Sequence, residues 1–153
     1  MEIKIELKNV EPRPIASIFE KVKARQIPRL FPKLIMEVIG FLENNKIKPF
    51  GAPLAIFYNW DKGKGEMEVG MPIAEPIIPE GRISASEIPG GKVVYVLYIG
   101  NLRKIKTIYD KMQGWIKDNN YSYSNIWWEV YLTDPRVEPD QNKWQTEVNL
   151  LLE

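Results

Sequence analysis

The sequence predicts an α+β fold of two β-α-β-β units related by pseudo-two-fold symmetry, with antiparallel sheet and two helices. Alternating apolar and polar residues indicate strands, and apolar residues at three- and four-residue spacing indicate one helix in each half. The third observation is that the order of elements in the first half returns in the second. Neither half buries its helix and sheet alone, so we expect one domain over residues 1–153 with pseudo-repeats at 1–76 and 80–153.

The first half begins with an alternating strand that Glu11–Pro14 interrupts, because proline cannot donate to a β-ladder. Counted as one broken strand, it resumes over about 15–22. Pro28 occupies the favoured first turn of a helix predicted at 28–45, and Asn44-Asn45 ends that helix. Two strands around a glycine-rich turn then make a hairpin. The hairpin strands are predicted at 53–60 and 66–73.

The second half repeats this pattern after a stiff segment, residues 76–81, that contains two prolines. A strand predicted at 82–88 is broken at Pro89-Gly90-Gly91 and resumes at 92–99. An apolar stripe predicts a helix at 101–119, which ends at a pair of asparagines as the first helix does. The last two strands are predicted at 124–133 and 143–152.

Composition excludes several classes of chemistry. The chain of 153 residues has no cysteine and no histidine, so it has no disulfide, no thiol nucleophile, no Cys/His zinc site and no Ser-His-Asp triad. We expect neither a metal nor a cofactor. Lys plus Arg, at 21, nearly balances Asp plus Glu, at 20, which argues against nucleic acid as the main partner. No apolar run reaches membrane-spanning length, so we expect a cytoplasmic protein.

The strand predicted at 124–133 holds the candidate functional site. Its side chains alternate between an apolar face and a face that carries Trp127, Glu129 and Tyr131. A carboxylate between two large aromatic side chains is suited to binding an organic cation, which gains roughly 0.5–2 kcal/mol over an aromatic face. Glu129 could instead be a solvated strand residue paired with a lysine. The surrounding aromatic residues favour a pocket, in which burial raises the pKa of Glu129.

Further candidates lie on the corresponding strand of the first half. The repeat aligns Ile56 with Glu129, and it places Tyr58 and Trp60 on the same face of their strand. The predicted site therefore has one carboxylate and an apolar opposite wall, in a groove between the two halves. These two aromatic residues could instead pack within the sheet. Trp144 is a further ligand-binding candidate that could instead cap the end of the sheet.

Five segments carry a resemblance to a known family: Pro49–Pro53 running into Phe57–Asp61, Met67–Ile73, Ile88–Lys92, Tyr98–Gly100 with Tyr109 and Trp115 in the following helix, and Trp128–Pro135. In this order and spacing the chain resembles a GyrI-like small-molecule-binding domain, the effector-binding module of AraC- and MerR-type multidrug-sensing transcription regulators. The resemblance spans nearly the whole chain. It implies that a glutamate in the position of Glu129 projects into the groove, where aromatic side chains hold flat, hydrophobic and often cationic compounds.

One departure bears on partners. Regulators of this family carry a helix-turn-helix domain on the same chain, whereas here the β-module starts at residue 2 and ends at residue 152. We therefore expect a stand-alone member that does not bind DNA directly. The leading hypothesis is binding of hydrophobic, cationic small molecules, centred on Glu129. The alternatives are a hydrolase of strained or toxic apolar compounds with Glu129 as general base, and an inhibitor of the gyrase-inhibitor type that acts through protein contact.

Overall fold

The computed structural model describes residues 3–153, which form two compact units. Unit 1 comprises the chain up to Val10 and Gly91–Glu153, and unit 2 comprises Glu11–Gly90. The strands are β1 Glu6–Val10, β2 Arg13–Lys23, β3 Leu54–Asp61, β4 Lys64–Pro72, β5 Ser84–Ile88, β6 Gly91–Ile99, β7 Tyr123–Tyr131 and β8 Gln145–Leu152, and the helices are α1 Ile27–Asn44 and α2 Ile105–Asp118. The α+β class, the two helices and the antiparallel pairing are confirmed.

Each unit holds four antiparallel strands in the same order. In unit 1 the order is β1-β6-β8-β7, and in unit 2 it is β5-β2-β4-β3. The helix comes after the second strand of this order in each unit: α2 follows β6, and α1 follows β2. The two units therefore repeat one topology, as the sequence predicts. Among the described residues no helix is long and apolar enough to cross a membrane.

The short strand of each unit is joined along the chain to the long strand of the other unit. β1 pairs with β6, whereas β2, which follows β1, pairs with β4 and β5. The interruption at Glu11–Pro14 therefore separates strands of different units and does not break a single strand. A Cβ atom on Gly90 would lie 2.5 Å from Pro12 Cδ, so only glycine fits where these connections meet.

The two helices are equivalent with an offset of 74 residues. Leu34, Val38 and Leu42 are buried on α1, and Ile108, Met112 and Ile116 are buried on α2. The ends correspond as well. Asn45 Nδ2 donates to the Phe41 carbonyl and Asn119 Nδ2 donates to the Trp115 carbonyl, both at 2.8 Å. Each amide adds a second hydrogen bond to a carbonyl that already accepts from the backbone N–H of the same asparagine, at 3.1 Å for Phe41 and 3.0 Å for Trp115.

The same offset continues into the following strands and corrects one alignment. Ile56 lies opposite Glu68 in the β3–β4 ladder, and Val130 lies opposite Glu147 in the β7–β8 ladder. Ile56 is therefore equivalent to Val130, and Ala55 is equivalent to Glu129. The sequence comparison that aligned Ile56 with Glu129 was wrong by one residue. Since side chains on a strand alternate, this shift moves Ile56 to the other face of the sheet.

The core of unit 1 lies between α2 and one face of the sheet. It contains Val94, Val96, Tyr98, Ile108, Met112, Ile116, Val148, Leu150 and Leu152. Most predicted element bounds agree with the structure to within two residues. One exception is the first strand, predicted from residue 2, which lies outside the described residues, and observed from Glu6. The other is the start of α2, where Leu102–Lys104 form a 3₁₀ turn capped by the side chain of Asn101, which accepts from the backbone N–H of Arg103 at 2.9 Å.

Candidate functional site

Strand β7 places Glu129 on the face of the sheet that packs against α2. Glu129 lies opposite Val148 and Trp127 lies opposite Leu150, and both of these partners belong to the core with α2. The ladder shifts register between Tyr123 and Trp127, where Asn125 has φ of 65°. Such a bulge reverses the inward and outward alternation of the strand, so it determines which side chains after it face the helix.

Glu129 accepts a hydrogen bond at each carboxylate oxygen. The hydroxyl of Tyr131 donates to Oε1 at 2.7 Å, and the hydroxyl of Tyr109, on α2, donates to Oε2 in a short contact. Within residues 3–153 no lysine or arginine makes an ion pair with this carboxylate. The local structure therefore supplies neutral donors and leaves the negative charge without a cation.

Burial controls the protonation of this cluster. Burial raises the pKa of Glu129 above its usual range, and the hydrogen bonds from Tyr109 and Tyr131 oppose that rise only in part. The pKa values of both tyrosines are raised well above the usual value, first by burial and then by the neighbouring carboxylate. Both hydroxyls therefore remain hydrogen-bond donors at neutral pH. The cluster can stabilise a cation, or its carboxylate can accept a proton.

An aromatic side chain borders the cluster. The rings of Tyr109 and Trp127 lie with their centroids 6.0 Å apart and their planes at 72°, an edge-to-face contact. Such pairs are worth about 0.5–1.5 kcal/mol beyond their buried area. Trp127 thereby packs against the ring of Tyr109, the tyrosine that reaches Glu129 from the helix. The predicted grouping of Trp127, Glu129 and Tyr131 on one face agrees with this geometry.

Unit 2 has only apolar residues at the equivalent positions. The 74-residue offset makes Ala55 equivalent to Glu129, Ile35 equivalent to Tyr109, and Phe57 equivalent to Tyr131. All three residues of unit 2 are buried, with exposed fractions of 0%, 7% and 3% in that order. The fold therefore forms with a purely apolar core at this place, and it does not require a carboxylate there.

The other predicted candidates on β3 belong to unit 2. The hydroxyl of Tyr58 donates to Glu68 Oε1 at 2.8 Å, so its partner within the described chain is a different carboxylate. The ring of Trp60 lies edge-on to Phe57, with the centroids 5.7 Å apart. Ile56 is fully buried opposite Glu68. Their participation in ligand binding stays a prediction.

Trp144 lies just before β8 in unit 1. Its indole N–H donates to the carbonyl of Glu138 at 2.7 Å, and its own carbonyl accepts from Gly100 at 2.9 Å. These bonds tie the connection between β7 and β8 to the end of β6. The geometry supports the structural alternative for Trp144, while its contact with a ligand stays a prediction. Within residues 3–153 no group of three or more acidic side chains is placed to hold a metal ion.

The sequence does not place Tyr109 among the candidate site residues, so its bond to Glu129 is found only in the structure. The apolar stripe of α2 was the reason, since Tyr109 lies beside Ile108 and one turn from Ile105. One signal was present: a tyrosine on a buried stripe needs a hydrogen-bond partner for its hydroxyl. Glu68 was also missed as a buried carboxylate, because its neighbours in sequence follow an ordinary strand pattern.

Comparison with known families gives a match over almost the whole chain. The profile described as a GyrI-like small molecule binding domain matches residues 3–152. A comparison with curated proteins finds no match.

Solved structures with the same fold include several proteins. The EcmrR C-terminal domain is 20% identical with a TM-score of 0.85, over 100% of this chain and 99% of that chain. EcmrR in its DNA complex is 21% identical with a TM-score of 0.85; the match covers 99% of this chain, which spans only 57% of that chain.

Two more distant structures share the fold at 12% identity. SAV2435 bound to tetraphenylphosphonium has a TM-score of 0.71, over 100% of this chain and 94% of that chain. A hydrolase encoded by lin2189 from Listeria innocua has a TM-score of 0.64, over 98% of this chain and 92% of that chain. At these identities the likeness of all four structures shows the fold alone.

Proposed function

Because this chain belongs to the GyrI-like family of small-molecule-binding domains, we propose that it binds hydrophobic organic cations at a site centred on Glu129. The carboxylate supplies the charge, the hydroxyls of Tyr109 and Tyr131 orient it, and Trp127 supplies aromatic surface. Tyr58, Trp60, Ile56 and Trp144 are secondary candidates for contact with the ligand.

The observation that carries the proposal is the internal comparison of the two units. Unit 1 has a carboxylate and two hydroxyls where unit 2 has Ala55, Ile35 and Phe57, all apolar and buried. Glu129 is half-buried, and holding a charge on the helix-facing side of the sheet without a counter-ion costs stability. A residue that costs stability and that the fold does not need is best explained by function.

The chemistry of the cluster favours a cation as the ligand. Both oxygens of Glu129 accept from neutral hydroxyls, so the negative charge is oriented but not neutralised. A bound cation would neutralise it in surroundings of low polarity, where the attraction is stronger than in water. The rings of Tyr109 and Trp127 would add a cation–π contribution of about 0.5–2 kcal/mol. The structural neighbour SAV2435, which was solved with tetraphenylphosphonium, makes this cation a suitable probe.

Hydrolysis is the second candidate function. Burial raises the pKa of Glu129 toward neutral pH, which suits a general base. Two tyrosine hydroxyls lie beside its carboxylate as hydrogen-bond donors. Turnover of a strained electrophile that disappears in Glu129→Gln would favour this candidate over binding alone. A cytoplasmic location and the lack of direct DNA binding also remain proposals.

The proposal is tested by titrating the protein with tetraphenylphosphonium while tryptophan fluorescence is followed. Glu129→Gln keeps the shape of the side chain and removes its charge. A charge-assisted contact is worth about 1.5–3 kcal/mol, so affinity should fall by roughly tenfold or more. Triphenylphosphine oxide, which is neutral, should bind both proteins with nearly equal affinity. Equal affinities of the two proteins for the cation would overturn the proposal.

A further inference from the structure

Unit 2 contains a fully buried carboxylate, which the proposed function does not use. Glu68, on β4, has an exposed fraction of 0%. The hydroxyl of Ser17 donates to its Oε2 at 2.6 Å, and the hydroxyl of Tyr58 donates to its Oε1 at 2.8 Å. Within residues 3–153 no lysine or arginine forms an ion pair with Glu68. Like Glu129, it has neutral donors at both oxygens and no cationic partner.

An aromatic pair lies beside this carboxylate. Phe19 is directly opposite Glu68 in the β2–β4 ladder, which places both side chains on one face. The ring centroids of Phe19 and Tyr58 are 6.2 Å apart. Phe19 is 47% exposed, so the aromatic pair can be reached from solvent although the carboxylate is buried. Aromatic rings next to a carboxylate are the combination that recognises organic ammonium groups.

Unit 1 shows what occupies the equivalent place there. Glu147 is equivalent to Glu68, and it accepts from the hydroxyl of Tyr95 at 2.6 Å. Leu97 lies opposite Glu147, and Phe19 lies opposite Glu68. Tyr95 precedes Leu97 by two residues as Ser17 precedes Phe19, so Tyr95 is equivalent to Ser17. The ammonium of Lys8 lies over the ring of Tyr95, 3.5 Å from its centroid. In unit 1 the chain therefore supplies its own primary ammonium to a tyrosine that is bonded to a carboxylate.

Unit 2 lacks this internal ammonium. In unit 1 Lys8 lies opposite Val93 on β6. The equivalent of Val93 in unit 2 is Ile15 on β2, and Ser86 lies opposite it. Ser86 therefore occupies the position of Lys8, and a serine cannot place a positive charge over an aromatic ring. Tyr58 replaces the aromatic function of Tyr95, since it is the tyrosine that donates to Glu68.

We propose that unit 2 carries a separate cation-binding site, formed by Glu68, Tyr58 and Phe19, that takes a primary alkylammonium group. The ligand takes the role that the ammonium of Lys8 has in unit 1. It enters along the exposed edge of Phe19, lies against the aromatic pair and neutralises the charge of Glu68. This inference shares Tyr58 with the secondary candidates for the proposed function, but it does not rest on Glu129, which lies in unit 1.

The experiment titrates the whole protein with butylammonium chloride, up to about 10 mM, and follows the aromatic NMR signals of Phe19 and Tyr58. Cation–π and charge contacts of this size predict a dissociation constant in roughly the millimolar range. The signals should shift with saturation in the wild-type protein and in Glu129→Gln. In Glu68→Gln affinity should fall by about tenfold or more, because the charge is lost. Butanol, the neutral control, should give no saturable shift.

Ser86→Lys is the second variant, and it decides the outcome if Glu68→Gln does not fold. It supplies the ammonium from the chain at the position of Lys8, so it should fill the site and abolish the saturable shift. The absence of a saturable shift in the wild-type protein would overturn the proposal. Unchanged affinity in Glu68→Gln or Ser86→Lys would overturn it as well. Loss of binding in Glu129→Gln with binding retained in Glu68→Gln would assign the amine to unit 1 and also overturn it.

Discussion

Ala55 and Glu129 occupy equivalent positions in the two units. Ala55 lies opposite Val69 in the β3–β4 ladder, and Glu129 lies opposite Val148 in the β7–β8 ladder. The same topology therefore holds a methyl group in one unit and a carboxylate in the other. Since Ala55 is fully buried, unit 2 is an internal reference for what the fold needs at this point.

The first prediction concerns the hydroxyl of Tyr131. Tyr131→Phe copies Phe57 of unit 2 and removes the donor to Glu129 Oε1. Because the half-buried carboxylate then loses one of its donors, the free energy of unfolding should fall by about 0.5–1.5 kcal/mol. Urea denaturation measures this change. Tyr121→Phe is the control, since the ring of Tyr121 stacks on Trp115 with the centroids 5.9 Å apart and phenylalanine preserves that contact. Equal losses in both variants would contradict the assigned role of the hydroxyl.

The second prediction is a pH dependence of stability. Burial raises the pKa of Glu129 in the folded protein, so the folded state binds a proton more tightly than the unfolded state does. The stability that this group contributes is therefore complete below its ordinary pKa and is lost as pH rises through the raised value. Glu129→Gln does not titrate at this position. The wild type therefore loses stability as pH rises through that window, and the variant does not. The free energy of unfolding of Glu129→Gln minus that of wild type should increase with pH.

Urea denaturation of both proteins at a series of pH values measures this difference. Glu87→Gln, at an exposed position on β5, is the control for removing a surface carboxylate. A difference between Glu129→Gln and wild type that stays constant with pH would mean that Glu129 is not held in a desolvated site. Glu147→Gln is not a suitable control, because Glu147 accepts from Tyr95.

The third prediction concerns the connection between the units along the chain. Gly90→Ala would place a Cβ atom 2.5 Å from Pro12 Cδ and 2.9 Å from Pro12 N, a ring and a backbone atom that cannot turn aside. We expect a loss of roughly 1–3 kcal/mol in the free energy of unfolding. Gly114→Ala is the matched control. It lies within α2, and apart from its chain neighbours and the adjoining backbone of its own helix no atom lies within 4 Å of the added carbon, so it should stabilise by about 0.5–1 kcal/mol. Stability unchanged in Gly90→Ala would contradict the close approach.

The fourth prediction is that this protein does not bind duplex DNA. Its formal net charge is only +1, and non-specific DNA binding depends on a concentrated positive surface. A gel-shift assay should show no complex at protein concentrations of roughly 10 μM in low salt. Micromolar binding that weakens as salt rises would show that this expectation is wrong.

The repeat and its elements could be predicted because helix stripes and strand alternation are local patterns. The asparagines that end α1 and α2 are an example, since each caps its own helix. The exchange of β1 and β5 between units could not be predicted, because strand pairing depends on residues far apart in sequence. The error of one residue at Ile56 has a similar cause. Similar residue types aligned Tyr58 with Tyr131, whereas the ladders align Phe57 with Tyr131.

The grouping of side chains around Glu129 could be predicted in part for the same reason, while its role as a binding site stays a prediction. Trp127, Glu129 and Tyr131 lie on one strand, where alternation determines a shared face. Tyr109 reaches Glu129 from a helix 20 residues earlier in the chain, and only the packing of α2 on β7 brings the two together. Its side chain fits an apolar stripe, so the pattern alone does not distinguish a core tyrosine from one that holds a carboxylate.

The central claim is that the Glu129 cluster exists for a cation and not for the fold. The triple variant Glu129→Ala, Tyr109→Ile and Tyr131→Phe gives unit 1 the residues that unit 2 has at these positions. Its dissociation constant for tetraphenylphosphonium, measured by calorimetry beside wild type, tests the claim most directly. We predict a folded protein of equal or higher melting temperature, with affinity lower by about tenfold or more. A folded variant that binds the cation as tightly as wild type would contradict the account.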